Sequence, residues 1–296
     1  QDVSGHFQIP QKLYGREAEV QRLLHAFERV SQGQTEMLLV AGYSGVGKTA
    51  LVQEVHKPIT QKNGYFIDGK FDQFQRDIPY ASLIQAFQEL LRQLLTESPV
   101  RIARWKSLLG DAPGPTAQLI IDVIPEVALI LGPQSAVTTL PPQEARNRFQ
   151  ATFRQFVEVF AQPGHPLVLF LDDLQWADTA SLAFLEELVL KSNQQCLLIL
   201  GAYRNNEVHP AHPFMLALES LRKANSRVST LTLEPLSFSD LAHLVQDTLT
   251  PSQEDTQALA RLISHKTGRN PFFVNAFLTS LYETGWLHFD DTQGGW

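Results

Sequence analysis

Residues 41–55 read AGYSGVGKTALVQEV, and the apolar run MLLV precedes them at 37–40. Three glycines, a lysine and a threonine stand where a strand-like run gives way to helical periodicity. Gly42-Tyr43-Ser44-Gly45-Val46-Gly47-Lys48-Thr49 fits the pattern G-x-x-x-x-G-K-[ST]. Glycines have no Cβ, so successive backbone N–H groups can curl inward around an anion. A helix beginning near Gly47 adds its unpaired N–H groups and the positive end of its dipole. Lys48 supplies a full charge for the outer phosphates, and Thr49 a hydroxyl for Mg²⁺. Gly42 to Thr49, with Ala50 in the first helical turn, are therefore the candidate phosphate contacts.

A magnesium site also needs a carboxylate at the end of a neighbouring strand. LVLFLDD (167–173) provides two after five apolar residues. Asp172 is the candidate to hold Mg²⁺ through water, and Asp173 to orient or deprotonate an attacking water. The plain alternative is an acidic pair that ends a strand and caps a turn. GAYRN (201–205) ends the next strand, and strand ends on one edge of a parallel sheet face one crevice. Arg204 or Asn205 could reach the γ-phosphate from there, or simply be solvated. Lys70 and Asp72 follow the second strand and could line the crevice, though they read more simply as solvated turn residues, and Trp176 as a packing residue. His209 and His212 lie in a proline-rich loop with no third metal ligand nearby.

Outward from the glycine loop, strands are expected at 37–41, 64–69, 166–173, 196–204 and within 227–236. Helices are expected at 16–30, 47–57 (halted by Pro58), 80–95, 144–162 and 179–192, with Asp178 as N-cap. Residues 96–143 read as short helices. Beyond 236 the pattern is helical only, at about 238–249, 252–266 and 271–284. Alternating strands and helices imply a parallel sheet covered on both faces, here over 13–236. A linker at 1–12, a helical subdomain at 237–285 and a hairpin-like start of a further element at 286–296 complete the division.

The chain has 296 residues, 44% of them hydrophobic and 19% charged, with a net charge of −7. That balance argues against a nucleic-acid partner, which needs a basic face. Cys196 is the only cysteine, which excludes an internal disulfide and suits a reducing cytoplasm. No apolar run approaches the ~20 residues of a membrane span, and no signal peptide is apparent. The first residue, Gln1, and the last three, GGW, read as the ends of a piece cut from something longer.

Several stretches together resemble the STAND branch of the AAA+ ATPases, signal-transducing switch NTPases. LYGREAEV (13–20) is similar to the hhGRExE box that precedes the phosphate loop there, and LFLDDLQWAD (169–178) to its acidic motif. GAYR resembles the sensor-one strand, and TGRNPFF (267–273) the GxP-type box of the lid. FQIPQKLYGREAEV, GKFDQF, IIDVIPE and FLDDLQWAD are closer still to the ATPase segment of large hybrid serine/threonine–histidine signalling kinases. The resemblance implies an α/β P-loop NTPase fold of the ASCE/AAA+ kind, with five parallel strands in the order 5-1-4-3-2 and a helical lid. It implies ATP rather than GTP, with Gly15 and Arg16 beside the adenine or ribose. Pro271 would press on the base, with Asn270 and Phe272 near it. It also implies partner kinase and sensor modules in the same polypeptide, and a possible nucleotide-dependent homo-oligomer.

The expected function is Mg²⁺-dependent ATP binding and slow hydrolysis by a regulatory switch, with Lys48, Asp173 and Arg204 in catalysis. The alternative is an ATP-stabilised scaffold that does not turn over. A nucleic-acid motor or a P-loop kinase fits the charge and the acidic pair less well.

Overall fold

The apolar run before the glycine loop lies inside a parallel sheet. In the computed structural model, residues 7–74, 78–192, 195–224, 226–249, 253–289 and 296 are described. Helix α1 (Glu17–Val30) leads into β1 (Thr35–Ala41), and α2 (Lys48–Gln61) follows the glycine loop. The sheet is completed by β2 (Tyr65–Lys70), β3 (Leu167–Asp172), β4 (Leu197–Tyr203) and β5 (Val228–Thr232). All pairings are parallel and the order is β2-β3-β4-β1-β5, as the resemblance implied. Between β2 and β3 run α3 (Ala81–Leu94), α4 (Pro99–Asp111), α5 (Gln118–Ile121), α6 (Glu126–Leu131) and α7 (Pro142–Phe160). Helices α8 (Thr179–Lys191) and α9 (Pro213–Lys223) flank β4 in sequence. Three more follow β5: α10 (Phe238–Leu249), α11 (Gln253–Thr267) and α12 (Pro271–Glu283).

Side chains alternate across a strand, which sorts the apolar runs onto two covered faces. Leu39, Leu169, Leu171 and Ile199 point into a core shared with α3, α4, α7 and α8. Leu38, Val40, Val168, Phe170 and Leu200 point the other way, against α1 and α2. Burial on both sides explains why these strands read as continuous apolar runs. The first core is rich in aromatics: Phe153 stacks on Phe184 with centroids 4.7 Å apart, and Phe87 meets Phe153, Phe156 and Phe160. Each fully buried phenylalanine contributes about 1.5–3 kcal/mol. The single cysteine, Cys196, is buried, and burial raises its thiol pKa.

One expectation needs correction. Pro58 does not halt α2, which continues to Gln61. A proline inside a helix forfeits a hydrogen bond and costs about 3 kcal/mol. Beyond it, however, Ile59 is buried in the core that includes Phe27 and Val55, and that packing holds the last turn. Residues 96–143 form short helices, as expected, the longest of them α4. Helix α4 is 13 residues long and buries Trp105 and Leu109.

Helices α10–α12 have their own core around Leu241, Val245, Ile263, Val274 and Leu278, joined by Tyr14 and Leu236. The hairpin expected near the C-terminus falls largely on 290–295, outside the described residues. Among the described residues no helix is long and apolar enough to cross a membrane.

Candidate functional site

The loop 42–47 leaves the buried end of β1 and opens α2, with Gly47 at the N-cap in a left-handed conformation (φ 101°). Gly45 also has a positive φ (77°), and a Cβ there would lie 2.6 Å from Phe272 Cβ. Only glycine allows this approach, because α12 begins directly on the loop. The Phe272 N–H donates to the Gly45 carbonyl (3.2 Å), and Asn270 Nδ2 donates to the Ser44 carbonyl (2.9 Å). Asn270 is also the N-cap of α12, accepting from the Phe272 N–H.

Lys48 is buried, and its ammonium donates to the carbonyls of Gly42 (2.8 Å) and Tyr43 (3.0 Å). Desolvation holds its pKa below the ordinary lysine value, against an opposing pull from Asp172. Thr49 Oγ1 donates to Asp172 Oδ2 at 2.9 Å, joining the first turn of α2 to the end of β3.

Asp173 is 4% exposed and takes a left-handed backbone (φ 56°) as the chain leaves β3. Its Oδ1 accepts from Gln175 Nε2 (2.9 Å) and pairs with Arg204 Nε (3.3 Å). Its Oδ2 lies 3.6 Å from Lys70 Nζ. Gln175 also accepts from the Arg204 N–H through Oε1 (3.1 Å). The Arg204 guanidinium lies 4.8 Å over the Trp176 ring and pairs with Glu207 (2.7 Å). The carboxyl ends of β2, β3 and β4 are thus tied together around one carboxylate.

Two cavities meet across the start of α2. One of about 360 Å³ is lined by Ser44, Lys48, Thr49, Lys70, Asp172, Asp173 and Arg204, among others. The second, of about 620 Å³, is lined by Ile9, Tyr14, Arg16, Val46, Leu236 and Leu244, among others. Gly47, Ala50, Pro271 and Asn275 line both.

The structure therefore brings Ser44, Gly45, Gly47, Lys48, Thr49, Ala50, Asp172, Asp173, Arg204 and Pro271 to one cavity. Val46 and Arg16 face the other. Arg16 is buried, donates to the Glu234 carbonyl and pairs with Glu19. Gly42 takes part through its carbonyl, whereas the Tyr43 ring is 55% exposed and lines neither cavity. Gly15 lines neither; the Asp240 carboxylate stands over it. Of the two readings of Lys70, the structure favours the crevice: it ends β2 beside Asp173 and lines the smaller cavity, its side chain still exposed. His212 serves as the N-cap of α9. Gln175, Glu207 and Asn275 escaped the reading of the sequence. The spacing of Gln175, two residues past Asp173 in a 3₁₀ turn, was the available signal.

Thr49 and Asp172 present hard oxygen donors at the edge of the smaller cavity, which is the donor set Mg²⁺ requires. Among the described residues no group of three or more His, Cys, Asp or Glu could hold a metal ion. The remaining ligands would come from water and phosphate oxygens.

The model of the AAA ATPase domain matches residues 12–200. The chain belongs to the AAA ATPase domain family. This AAA ATPase domain is 30% identical to hybrid signal transduction histidine kinase G of Dictyostelium discoideum, across the whole chain and 10% of that kinase. It is 22% identical to peroxide stress-activated histidine kinase mak3 of Schizosaccharomyces pombe, over 91% of the chain and 13% of the kinase. The domain thus spans about a tenth of the length of these relatives. Among solved structures, Drosophila ORC bound to DNA matches 95% of the chain and 59% of its own, with a TM-score of 0.51 at 15% identity. A STAND protein with a tetratricopeptide repeat sensor from Pyrococcus horikoshii matches 91% of the chain and 30% of its own, with a TM-score of 0.47 at 13% identity. The AAA ATPase family match and the fold shared with Drosophila ORC agree on an AAA+ architecture.

Proposed function

We propose that this domain binds ATP with Mg²⁺ and hydrolyses it slowly, as a nucleotide switch within a larger cytoplasmic signalling polypeptide. The observation that carries the reading is the junction of the two cavities at Gly47, Ala50, Pro271 and Asn275. A triphosphate suits the cavity holding Lys48, Arg204 and the acidic pair. A base suits the larger one, with Arg16, Val46 and Pro271 around it, beside the turn at Gly15.

Phosphate entry requires Lys48 to exchange its two carbonyl acceptors for phosphate oxygens. That exchange strengthens the interaction, since ammonium–phosphate bonds are charge-assisted. The N–H groups of Gly45, Gly47, Lys48 and Thr49 would face the same anion, whereas that of Val46 donates to the Tyr43 carbonyl (3.3 Å). Thr49 and Asp172 would hold Mg²⁺, which when bound neutralises charge on the phosphates. Asp173 Oδ1 is occupied by Gln175 and Arg204, so Oδ2, approached by Lys70 at 3.6 Å, is the oxygen that would orient water and accept its proton. Arg204 offsets charge on the transferred group. The lid senses nucleotide because Pro271 and Asn275 border both cavities while Asn270 and Phe272 hold the loop. A homo-oligomer formed only with nucleotide, and kinase or sensor modules in the same chain, would receive that signal.

One observation favours the non-hydrolysing alternative. Asp173 faces Arg204 and Lys70 together, and a carboxylate engaged by two cations has less room to take up an attacking water. Phosphate release by wild type and Asp173→Asn separates the readings. Hydrolysis lost by roughly a hundredfold, with ATP still bound, supports catalysis by Asp173. Equal release by the two proteins makes the domain a scaffold.

A further inference from the structure

The strands are parallel, so the far end of the sheet carries their amino ends. Five residue steps at about 3.3 Å separate Lys70, beside Asp173, from Tyr65, roughly 17 Å away. A separate cavity of about 430 Å³ opens there, lined by Tyr65, Arg101, Arg104, Trp105 and His165 together with Glu97, Thr60 and Asn63. None of these residues belongs to the site described above.

Its chemistry is cationic and aromatic in a chain of net charge −7. Arg101 and Arg104 lie three residues apart on α4, on neighbouring positions of the helix surface. Arg101 gives one hydrogen bond to Glu97 (3.1 Å), which leaves most of its five donors unspent. Arg104 makes no ion pair among the described residues, although it lines the cavity. Glu97 is the one carboxylate in the lining, and its second oxygen is taken by Trp105 Nε1 (3.1 Å). His165 Nδ1 donates to the Phe160 carbonyl (3.0 Å), which leaves Nε2 free of that contact. Burial raises the Tyr65 pKa, so its hydroxyl stays a donor. The rings of Tyr65, Trp105 and His165 lie in mutual contact, 5.3–5.9 Å apart.

We propose that this cavity at the amino ends of β2 and β3 binds a small phosphate monoester, with Arg101 and Arg104 on the phosphate and the rings of Tyr65 and His165 against its organic part. Two guanidinium forks suit a dianion. The volume exceeds the need of an oxyanion alone: at roughly 30 Å³ per water it would hold more than ten waters. A cavity of this size lies within the range of small-molecule sites.

Calorimetric titration of the 296-residue chain with phenyl phosphate, and separately with inorganic phosphate, tests the assignment. Saturable binding of phenyl phosphate is expected, at least roughly tenfold tighter than inorganic phosphate. The Arg101→Ala/Arg104→Ala variant should weaken it by roughly a hundredfold, in line with two lost charge-assisted contacts. Both arginines are exposed, so the variant should fold, and its far-UV spectrum checks this. Lys48→Ala should leave the affinity unchanged, which separates this cavity from the glycine loop. Wild-type affinity in the double arginine variant, loss of binding in Lys48→Ala, or no saturable binding would each overturn the proposal.

Discussion

Gln175 shows how much one side chain settles. A carboxamide can donate and accept at once, and Gln175 does both: its NH₂ meets Asp173 Oδ1 and its oxygen meets the Arg204 N–H. It is 2% exposed, so neither contact is replaced by bulk water when it is removed. Gln175→Leu is expected to destabilise the domain by about 1–3 kcal/mol in urea denaturation. It should also slow phosphate release while leaving ATP affinity near wild type, because the lost contacts position Asp173 and not the loop. Unchanged stability and unchanged hydrolysis would contradict this role. The acidic pair was legible because two carboxylates after five apolar residues have few uses. Gln175 was not, because its meaning depends on where β4 ends, and sequence spacing does not place β4 beside β3.

At the scale of elements, the contact between α12 and the glycine loop is the most specific. Gly45→Ala forces an Ala into φ 77° and places its Cβ 2.6 Å from Phe272 Cβ. The expected result is a loss of about 1–3 kcal/mol in unfolding free energy and faster proteolysis of the lid. A variant as stable and as protected as wild type would show that α12 does not rest on the loop. A second link ties the lid to the leading segment. Asp247 on α10 pairs with Lys12 and accepts from Tyr14 Oη (3.0 Å). The hydrogen bond from Lys12, then that from Tyr14, holds its carboxyl below the ordinary aspartate pKa despite opposing desolvation. A lowered folded-state pKa means stability that is complete above the unfolded value, about 3.9, and lost as pH falls through the folded one. Melting of wild type should therefore drop more than that of Asp247→Asn as pH falls below about 4. Parallel curves would remove this contact from the account. Most elements were legible in the apolar periodicity, and Asp178 was correctly read as an N-cap, donating nothing and accepting from the Ser181 N–H at 2.8 Å. The passage through Pro58 was not, because burial of Ile59 is a tertiary effect that local propensity does not contain.

For the whole molecule, the site draws on parts of the chain far apart in sequence. The smaller cavity takes residues from the loop, from the ends of β2, β3 and β4, and from α12. The larger cavity takes residues 9–14 and Arg16 as well as Leu236 and Leu244. The parallel sheet was readable from alternating strands and helices, whereas the strand order rested on family resemblance. The meeting of the two cavities at Asn275 could be read from neither. A ligand that touches the sheet domain and the lid together stabilises both by mass action, by about 2.7 kcal/mol at a hundredfold excess over its Kd. The central claim is that this gain comes from a polyphosphate held by Lys48 and the amides where the glycine loop opens α2. Titrating ATP with Mg²⁺ into wild type and Lys48→Ala by calorimetry tests it most directly. Saturable heat for wild type and at least roughly a hundredfold weaker binding for the variant is the expected result. The same heat and the same Kd for both proteins would contradict it.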